Sequence, residues 1–267
     1  MNQKVAKYMW LDTNLRKALE EEQFVLHYQP VVDLASGDVR SVEALIRWQS
    51  PDRGLVAPIE FIHFAEESGL IAPLGRWVMR TAAAQAAAWK AKGLGVRVAV
   101  NVSARQLQDM NIVHQFASIL ASAGLKPSLV DIELTESSFI EDEETAHELM
   151  KEFRQLGAKI HLDDFGTGYS SLSQLSRLPL DSIKLDRSFI TGIDRNPRSQ
   201  ALVRSVVSLA KALSFAVVAE GVETPGEAEF LKQVDVDHAQ GFYFARPMPA
   251  HAFEGWLAET RKLRLIA

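Results

Sequence analysis

Cysteine is absent from the 267 residues of this chain. Disulfides, thiolate nucleophiles and zinc sites with cysteine ligands are therefore excluded, and the absence fits a reducing compartment without proving one. No apolar run approaches the roughly 18 residues that a membrane helix needs. Polar residues follow Met1, where a secretory signal would carry an apolar stretch. These absences predict a cytoplasmic protein that does not enter a membrane.

The chain also has fewer basic residues than acidic ones. The chain carries 29 Lys and Arg residues against 34 Asp and Glu residues, which gives a formal net charge of -5. The basic residues look scattered along the sequence, so no nucleic-acid polymer is expected as a partner. Hydrophobic residues make up 47% and charged residues 24%, as in an ordinary globular protein. The length suits one large α/β domain or two small ones, since an α/β barrel alone takes about 250 residues.

Apolar, β-rich runs alternate with helical stretches, a pattern typical of βα units around a parallel sheet. The short turn Ser36-Gly37-Asp38 joins the first two runs. These two strands are expected to pair antiparallel, because parallel neighbours need a longer crossover. The predicted strands are 24–34, 42–48, 96–102, 129–134, 158–163, 182–186, 215–220 and 236–242. One barrel-like α/β domain is the economical interpretation.

Residues 1–20 look like a helical lead-in or the remnant of a linker, and residues 21–267 form the predicted domain. Within that domain, Ser103 follows a strand and can cap the next helix. Pro58 and Pro197 stand near two further predicted helix starts. No internal repeat or low-complexity segment divides the domain further.

Polar residues recur at the carboxyl ends of the predicted strands. In a (β/α)8 barrel those ends form one mouth, where catalytic groups converge. A single charged residue at a strand end is usually just solvated, but recurrence on strand after strand favours a site. The residues concerned are Arg47, Asn101, Glu133, Asp163, Asp164, Lys184, Asp186, Glu220 and Gln240.

Asp163 and Asp164 are consecutive, so a regular strand would point their side chains to opposite faces. Both can face one site only if the chain leaves the strand there, and Phe165-Gly166-Thr167-Gly168 permits such a bend. An Asp-Phe-Gly sequence also occurs in protein kinases. That interpretation is excluded, because the chain has neither a glycine-rich nucleotide loop before it nor a His-Arg-Asp loop.

Several carboxylates in one mouth require a cation among them. Two like charges about 4 Å apart repel by about 4 kcal/mol at an effective dielectric near 20. Oxygen ligands from Asp, Glu and Asn favour Mg²⁺ or Mn²⁺ over zinc. Lys184 and Asp186 share a strand face and are expected to contact each other. His27, His161 and His238 are interpreted as structural.

The ordered motifs of this chain resemble one family closely, the EAL-domain phosphodiesterases that hydrolyse cyclic di-GMP to linear pGpG. The resemblance runs from about residue 15 to residue 257. The motifs that carry it are Tyr28-Gln29-Pro30, Glu43-Ala44-Leu45 with Ile46-Arg47-Trp48, Asn101-Val102-Ser103, Glu133-Leu134-Thr135-Glu136, the segment Asp163 to Gly168, Lys184-Leu185-Asp186, Ala219-Glu220-Gly221-Val222-Glu223 and Gln240-Gly241-Phe242. Members adopt a modified TIM (β/α)8 barrel with an antiparallel first strand, in agreement with the short turn at Gly37.

The resemblance also implies the roles of individual residues and a cofactor of two divalent cations, Mg²⁺ or Mn²⁺. One cation would be held by Glu43, Asn101, Glu133 and Asp163, and Asp163 would bridge to a second held by Asp164 and Glu220. Lys184 would contact the catalytic water, and Glu43 and Glu220 would complete the catalytic set. Substrate would be contacted or supported by Gln29, Arg47, Asp186, Glu223 and Gln240, while Glu136 would steady the metal-site loop and the dimer lobe.

The expected reaction is attack of a metal-activated water on a cyclic di-GMP phosphate, and a homodimer is expected. Glu43 does not fit the strand-end rule, because it lies near the start of its predicted strand. Two alternatives stay open. The chain could be a catalytically silent cyclic di-GMP receptor or scaffold, or an unrelated magnesium-dependent barrel enzyme that acts on a sugar phosphate or enolate.

Overall fold

A computed structural model describes residues 2–139, 143–166 and 172–264 of the chain. The strands of the described residues are β1 (Phe24–Asp33), β2 (Val39–Ser50), β3 (Gly54–Val56), β4 (Arg97–Val102), β5 (Val130–Thr135), β6 (Ile160–Phe165), β7 (Ser182–Leu185), β8 (Ala216–Ala219) and β9 (His238–Ala239). The helices are α1 (Asn2–Glu20), α2 (Ile62–Glu67), α3 (Ile71–Ala91), α4 (Ala104–Leu107), α5 (Ile112–Ser122), α6 (Glu143–Leu156), α7 (Leu172–Leu175), α8 (Arg187–Ile190), α9 (Pro197–Ala212), α10 (Pro225–Gln233) and α11 (Ala250–Arg264). Short 3-10 turns occupy Pro58–Glu60, Pro127–Leu129, Glu136–Phe139 and Ile193–Arg195.

The sheet closes into a barrel of eight strands, with β3 attached outside the ring as a hairpin partner of β2. β1 runs antiparallel to both of its neighbours, β2 and β9, whereas the other ring strands pair parallel. The turn after β1 is held by Asp33, whose Oδ1 accepts a hydrogen bond from Ser36 N at 2.8 Å. The modified barrel with an antiparallel first strand is therefore confirmed.

Apolar and polar side chains alternate along the strands, so that the outer face of the barrel is apolar and its interior is polar. On β5, Ile132 and Leu134 are fully buried under the surrounding helices, while Asp131 and Glu133 point to the barrel axis. β4 repeats the pattern, with Val98 and Val100 facing the helices. The hydrophobic core therefore lies between the barrel and its helices, and the strands deliver polar side chains to the interior.

Helix α1 packs on the same core. Leu11 and Leu15 are almost completely buried, and the ring of Trp10 stacks on that of Trp48 with 4.6 Å between centroids. The indole nitrogen of Trp48 donates to Gln23 Oε1 at 2.9 Å, just after the helix ends. These contacts join the helix to the barrel, while the domain boundary after residue 20 stays a prediction.

The predicted helix starts are confirmed. Ser103 and Gln106 form a capping box at the start of α4, in which each side chain accepts from the other residue's backbone N–H. Pro197 is the first residue of α9, behind the capping side chain of Asn196. Pro58 begins the first 3-10 turn.

The predicted strand ends differ from the structure by at most three residues, and two strands differ by three residues at one end. Strand 236–242 is confined to β9, because after Ala239 the backbone turns to bond with the loop at Val222, whose N–H donates to Gln240 O at 3.1 Å. Strand 42–48 begins three residues earlier, at Val39, since backbone pairing with β1 and β4 continues where the apolar run stops. As to membranes, no helix in the described ranges combines the length and apolarity needed to cross a bilayer.

Candidate active site

Lys184 lies at the centre of a buried cluster of carboxylates inside the barrel. Its ammonium nitrogen is 2.7 Å from Glu220 Oε1, 2.9 Å from Glu133 Oε2 and 3.2 Å from Asp163 Oδ1. A fourth carboxylate oxygen, Glu43 Oε2, is 3.6 Å away. The Lys184 residue is only 1% exposed, so these acids take the place of water around its charge.

Glu43 reaches this cluster from deeper in the barrel. It is the fifth residue of β2 and pairs with Gln29 on β1 and with Ala99 on β4, two residues before Asn101. Its carboxylate nevertheless accepts from Asn101 Nδ2 at 2.8 Å, because a long glutamate side chain can lean along the strand. Its position before the strand end therefore does not keep it from the site.

The chain bends at Asp164 itself. This residue has a backbone φ of 54°, in the left-handed region, and the pairing of β6 with β7 is irregular between Leu162 and Phe165. Asp163 and Asp164 consequently offer oxygens to the same place, together with Glu220. The expected departure from a regular strand is present one residue before the Phe165-Gly166 segment. Thr167 and Gly168 lie outside the described residues.

The carboxylates form two overlapping triads. Glu43, Glu133 and Asp163 each offer an oxygen within 4.8 Å of the others, and so do Asp163, Asp164 and Glu220. Asp163 belongs to both. Asn101 touches the first triad through its hydrogen bond to Glu43. The residues expected to hold two cations are thus brought together in two groups that share one aspartate.

The electrostatics show a site with too much negative charge. Burial and the charges of Asp163 and Glu43 raise the pKa of Glu220 to about 8, against the opposing effect of Lys184. Burial likewise raises the pKa of Glu133 well above its ordinary value. Burial alone would lower the pKa of Lys184, but the surrounding carboxylates raise it instead. One lysine does not balance these acids, so the donor set fits divalent cations.

Gln240 connects the acid cluster to the antiparallel strand. Its Nε2 donates to Glu43 Oε2 at 2.7 Å and to Gln29 Oε1 at 2.9 Å. Gln29 in turn donates to Ala245 O at 3.1 Å. Gln240 is 5% exposed, and its Oε1 has no hydrogen-bond partner among the described residues. The two glutamines therefore fix the orientation of Glu43 and leave one buried acceptor beside it.

The contact predicted between Lys184 and Asp186 is wrong. Asp186 instead caps α8, where its Oδ1 accepts from Ser188 N at 2.9 Å. The chain turns into a helix directly after β7, so the aspartate is used by the backbone while Lys184 stays inside the barrel. Lys184 takes its partners from other strands.

The other expected substrate residues lie around the same mouth with varied partners. Arg47 is half-buried and donates from Nη1 to Ile46 O at 2.8 Å. Glu223 forms an ion pair with Arg187, with 2.8 Å between Oε1 and Nη2. Arg187 was missed by the sequence analysis. The signal for it was Gly221, whose left-handed φ of 69° and missing Cβ leave room for the arginine stem.

Glu136 lies behind the bend of β6. Its Oε2 accepts a hydrogen bond from Gly166 N at 3.3 Å, just after the Asp163-Asp164 pair. It follows β5, whose last residue Thr135 pairs with Asp163. Glu136 is thus placed to hold the loop that orients both aspartates.

A second polar network fills the barrel below the carboxylate cluster. Asp131, which is 2% exposed, accepts from Arg97 Nε at 2.8 Å and lies 3.4 Å from His161 Nε2. The other ring nitrogen of His161 is 2.5 Å from Ser182 Oγ. This arrangement agrees with a structural role for His161. It also gives the buried Asp131 the partners that the sequence did not reveal.

A closed α/β barrel with a buried cluster of carboxylates that could bind divalent cations is typical of a metal-dependent barrel enzyme. The EAL domain model matches residues 12–247, and the chain belongs to the EAL domain family.

The curated relatives are longer proteins. The chain is 56% identical over 256 residues to the cyclic di-GMP phosphodiesterase PdeR of Escherichia coli (strain K12), covering 96% of this chain and 39% of PdeR. It is 40% identical over 252 residues to the cyclic di-GMP phosphodiesterase NbdA of Pseudomonas aeruginosa, covering 94% of this chain and 32% of NbdA. The chain therefore spans two fifths or less of either relative.

Two solved structures match both fold and sequence. The PaMucR phosphodiesterase in complex with c-di-GMP is 40% identical, with a TM-score of 0.88 over 91% of this chain and 99% of that one. The EAL enzyme Bd1971, in its cAMP and cyclic-di-GMP bound form, is 30% identical with a TM-score of 0.90 over 95% of this chain and 70% of that one.

Proposed function

We propose that this chain hydrolyses cyclic di-GMP to linear pGpG with the help of two divalent cations, Mg²⁺ or Mn²⁺. The observation that carries the proposal is the pair of carboxylate triads that share Asp163 around Lys184. Family membership, relatives named as phosphodiesterases and a similar structure with c-di-GMP bound support the substrate.

The residues present fit the cations. Glu43, Asn101, Glu133 and Asp163 would hold one, and Asp163, Asp164 and Glu220 would hold the other. When bound, the cations would neutralise the phosphate and lower the pKa of a water so that it can attack phosphorus. Their ligands are oxygens only, which suits Mg²⁺ and Mn²⁺.

The chain's own residues supply position and charge. Lys184 keeps a proton on its ammonium because four carboxylates surround it, so it can stabilise a negatively charged nucleophile but cannot remove its proton. Gln29 and Gln240 orient Glu43 at the inner wall. Arg47, on the same strand face as Glu43, would contact a phosphate or base of the substrate. Asp186 and Glu223 would support substrate from the β7 and β8 ends.

The proposal is tested by incubating the protein with cyclic di-GMP and Mg²⁺ or Mn²⁺ and separating the products by chromatography. We expect pGpG to accumulate, EDTA to stop the reaction, and Asp163→Asn to reduce turnover by about a hundredfold or more. Asp33→Asn is a matched control, because Asp33 is the last residue of β1 and contacts Arg40 rather than the carboxylate cluster. Full activity of Asp163→Asn would overturn the shared-ligand assignment.

The silent-receptor alternative makes a different prediction. A receptor binds cyclic di-GMP, measurable by calorimetry in EDTA, and forms no pGpG at any cation concentration. A barrel enzyme for sugar phosphates would neither bind nor cleave the dinucleotide. Homodimer formation stays a prediction, which sedimentation velocity with and without substrate checks directly.

A further inference from the structure

One long segment of this chain, whose net charge is negative, contains almost no acidic residues. Between residues 68 and 130 the sole acidic residue is Asp109. The same stretch contains seven basic residues, namely Arg76, Arg80, Lys90, Lys92, Arg97, Arg105 and Lys126. Two of them, Arg76 and Arg80, lie four residues apart on α3, on the outside of the barrel where α3 packs beside α5.

The two helices enclose an open groove of about 470 Å³. Arg76 and Arg80 line it from α3, one helical turn apart, and His114 and Ser118 line it from α5 at the same spacing. The side of Ile119 completes one wall. Two rows of hydrogen-bond donors therefore face each other across a concave surface.

These basic side chains have no ion-pair partners within the part of the chain that the structure describes. Other basic residues of the stretch do, since Arg97 pairs with Asp131 and Lys92 with Glu254. Arg76 and Arg80 have no carboxylate within 4 Å among residues 2–139, 143–166 and 172–264. Like charges at i and i+4 oppose helix formation, so a bound anion would relieve their repulsion.

The nearest acid in sequence is already engaged. Asp109 Oδ2 accepts from Gln115 Nε2 at 2.8 Å, and its Oδ1 accepts from Asn111 N at 2.9 Å. Gln115 is itself part of the groove wall. The aspartate is therefore held by the amide and the backbone rather than by an arginine.

We infer that this groove is a second binding site, for a phosphate-bearing small anion, separate from the carboxylate cluster. Guanidinium groups bind phosphate through paired N–H donors, and two of them one turn apart can hold one phosphate between them. His114 and Ser118 add donors from the facing helix. The opposite face of α3 contributes Leu74 and Val78 to a cavity that also contacts Asn101, so the helix lies between the groove and the active site.

The test is an NMR titration of the whole chain, isotope-labelled, with inorganic phosphate at constant ionic strength in EDTA. We expect saturable shifts in the amide signals of α3 and α5 and in the side-chain signals of Arg76 and Arg80. The double variant R76Q/R80Q should bind about tenfold more weakly or worse. The matched control K90Q/K126Q removes the same charge from two exposed lysines outside the groove and should bind as the parent does.

Pyrophosphate and guanosine monophosphate identify the ligand class. Tighter binding of the nucleotide would point to a nucleotide ligand, and equal binding would point to the phosphate group alone; either supports the site. Equal weakening in both double variants, shifts confined to the barrel mouth, or no saturation would overturn the inference. Binding of a single-stranded oligonucleotide that both double variants weaken equally would also overturn it. The site does not depend on phosphodiesterase activity, so failure of one proposal leaves the other standing.

Discussion

Lys184 Nζ lies 2.9 Å from Glu133 Oε2, and both residues are at most 3% exposed. Taking both charges out of water is costly, and their attraction offsets that cost only while every member of the cluster has a partner. The carboxyl group of Glu133 keeps its proton to a higher pH than an ordinary glutamate does, because burial raises its pKa. The stability of the barrel interior is thus linked to the charges of the candidate active site.

Substitution of Lys184 tests this link between stability and the charges of the cluster. Lys184→Met leaves buried carboxylates without their cation, and in EDTA at pH 8 we expect the free energy of unfolding to fall by about 3 kcal/mol. Added Mn²⁺ should recover part of the loss. Urea denaturation measures it, with Lys211→Met as the control, since Lys211 pairs with Asp235 at the surface. Equal effects of the two substitutions would contradict the link.

The pH dependence of the cation-free protein follows from Glu220. Its pKa of about 8 in the folded state lies above the unfolded value, so the folded state binds the proton more tightly. The contribution of this proton to the free energy of unfolding is complete below about pH 4.5 and is lost as the pH rises through about 8. The free energy of unfolding in EDTA should therefore fall as the pH rises from 5.5 to 8.5. Glu220→Gln should flatten that slope, and an unchanged slope in the variant would show that another group is responsible.

The lower polar network gives a stability prediction separate from catalysis. Arg97→Ala leaves the buried carboxylate of Asp131 without its arginine and should cost about 3 kcal/mol of unfolding free energy. Adding Asp131→Asn should recover part of that cost. Arg195→Ala, which removes an exposed arginine beside Asp194, should cost less than about 1 kcal/mol. If the two single variants unfold at the same denaturant concentration, the network contributes nothing measurable.

The barrel and most of its mouth follow from the sequence, because apolar alternation marks strands and strand ends gather in a closed ring. The inward reach of Glu43 does not follow, since it depends on hydrogen bonds from Asn101 and Gln240, which lie far along the chain. The bend beside Asp163 is expected from the consecutive aspartates, but its position at Asp164 is not, because Gly166 is the residue that the sequence offers for a positive φ. Long-range pairs such as Arg187 with Glu223 depend on loop geometry that no local pattern encodes.

The close approach at Gly241 supplies a pair of matched substitutions. An alanine Cβ there would lie 2.1 Å from Val222 O and 2.3 Å from Val222 N, so the backbone must move. Because Gln240 precedes it and holds Glu43 at 2.7 Å, we expect Gly241→Ala to lower both stability and turnover, the former by about 2 kcal/mol or more.

Gly255 is the control for this substitution. It lies inside α11, and nothing stands within 4 Å of the Cβ that alanine would add. Gly255→Ala should therefore stabilise the protein by about 0.5–1 kcal/mol, because it reduces the entropy of the unfolded chain. Thermal unfolding and the rate of pGpG formation measure both variants side by side. A Gly241→Ala protein that matches the Gly255→Ala protein in both measurements would show that the loop carrying Gln240 can shift without disturbing Glu43.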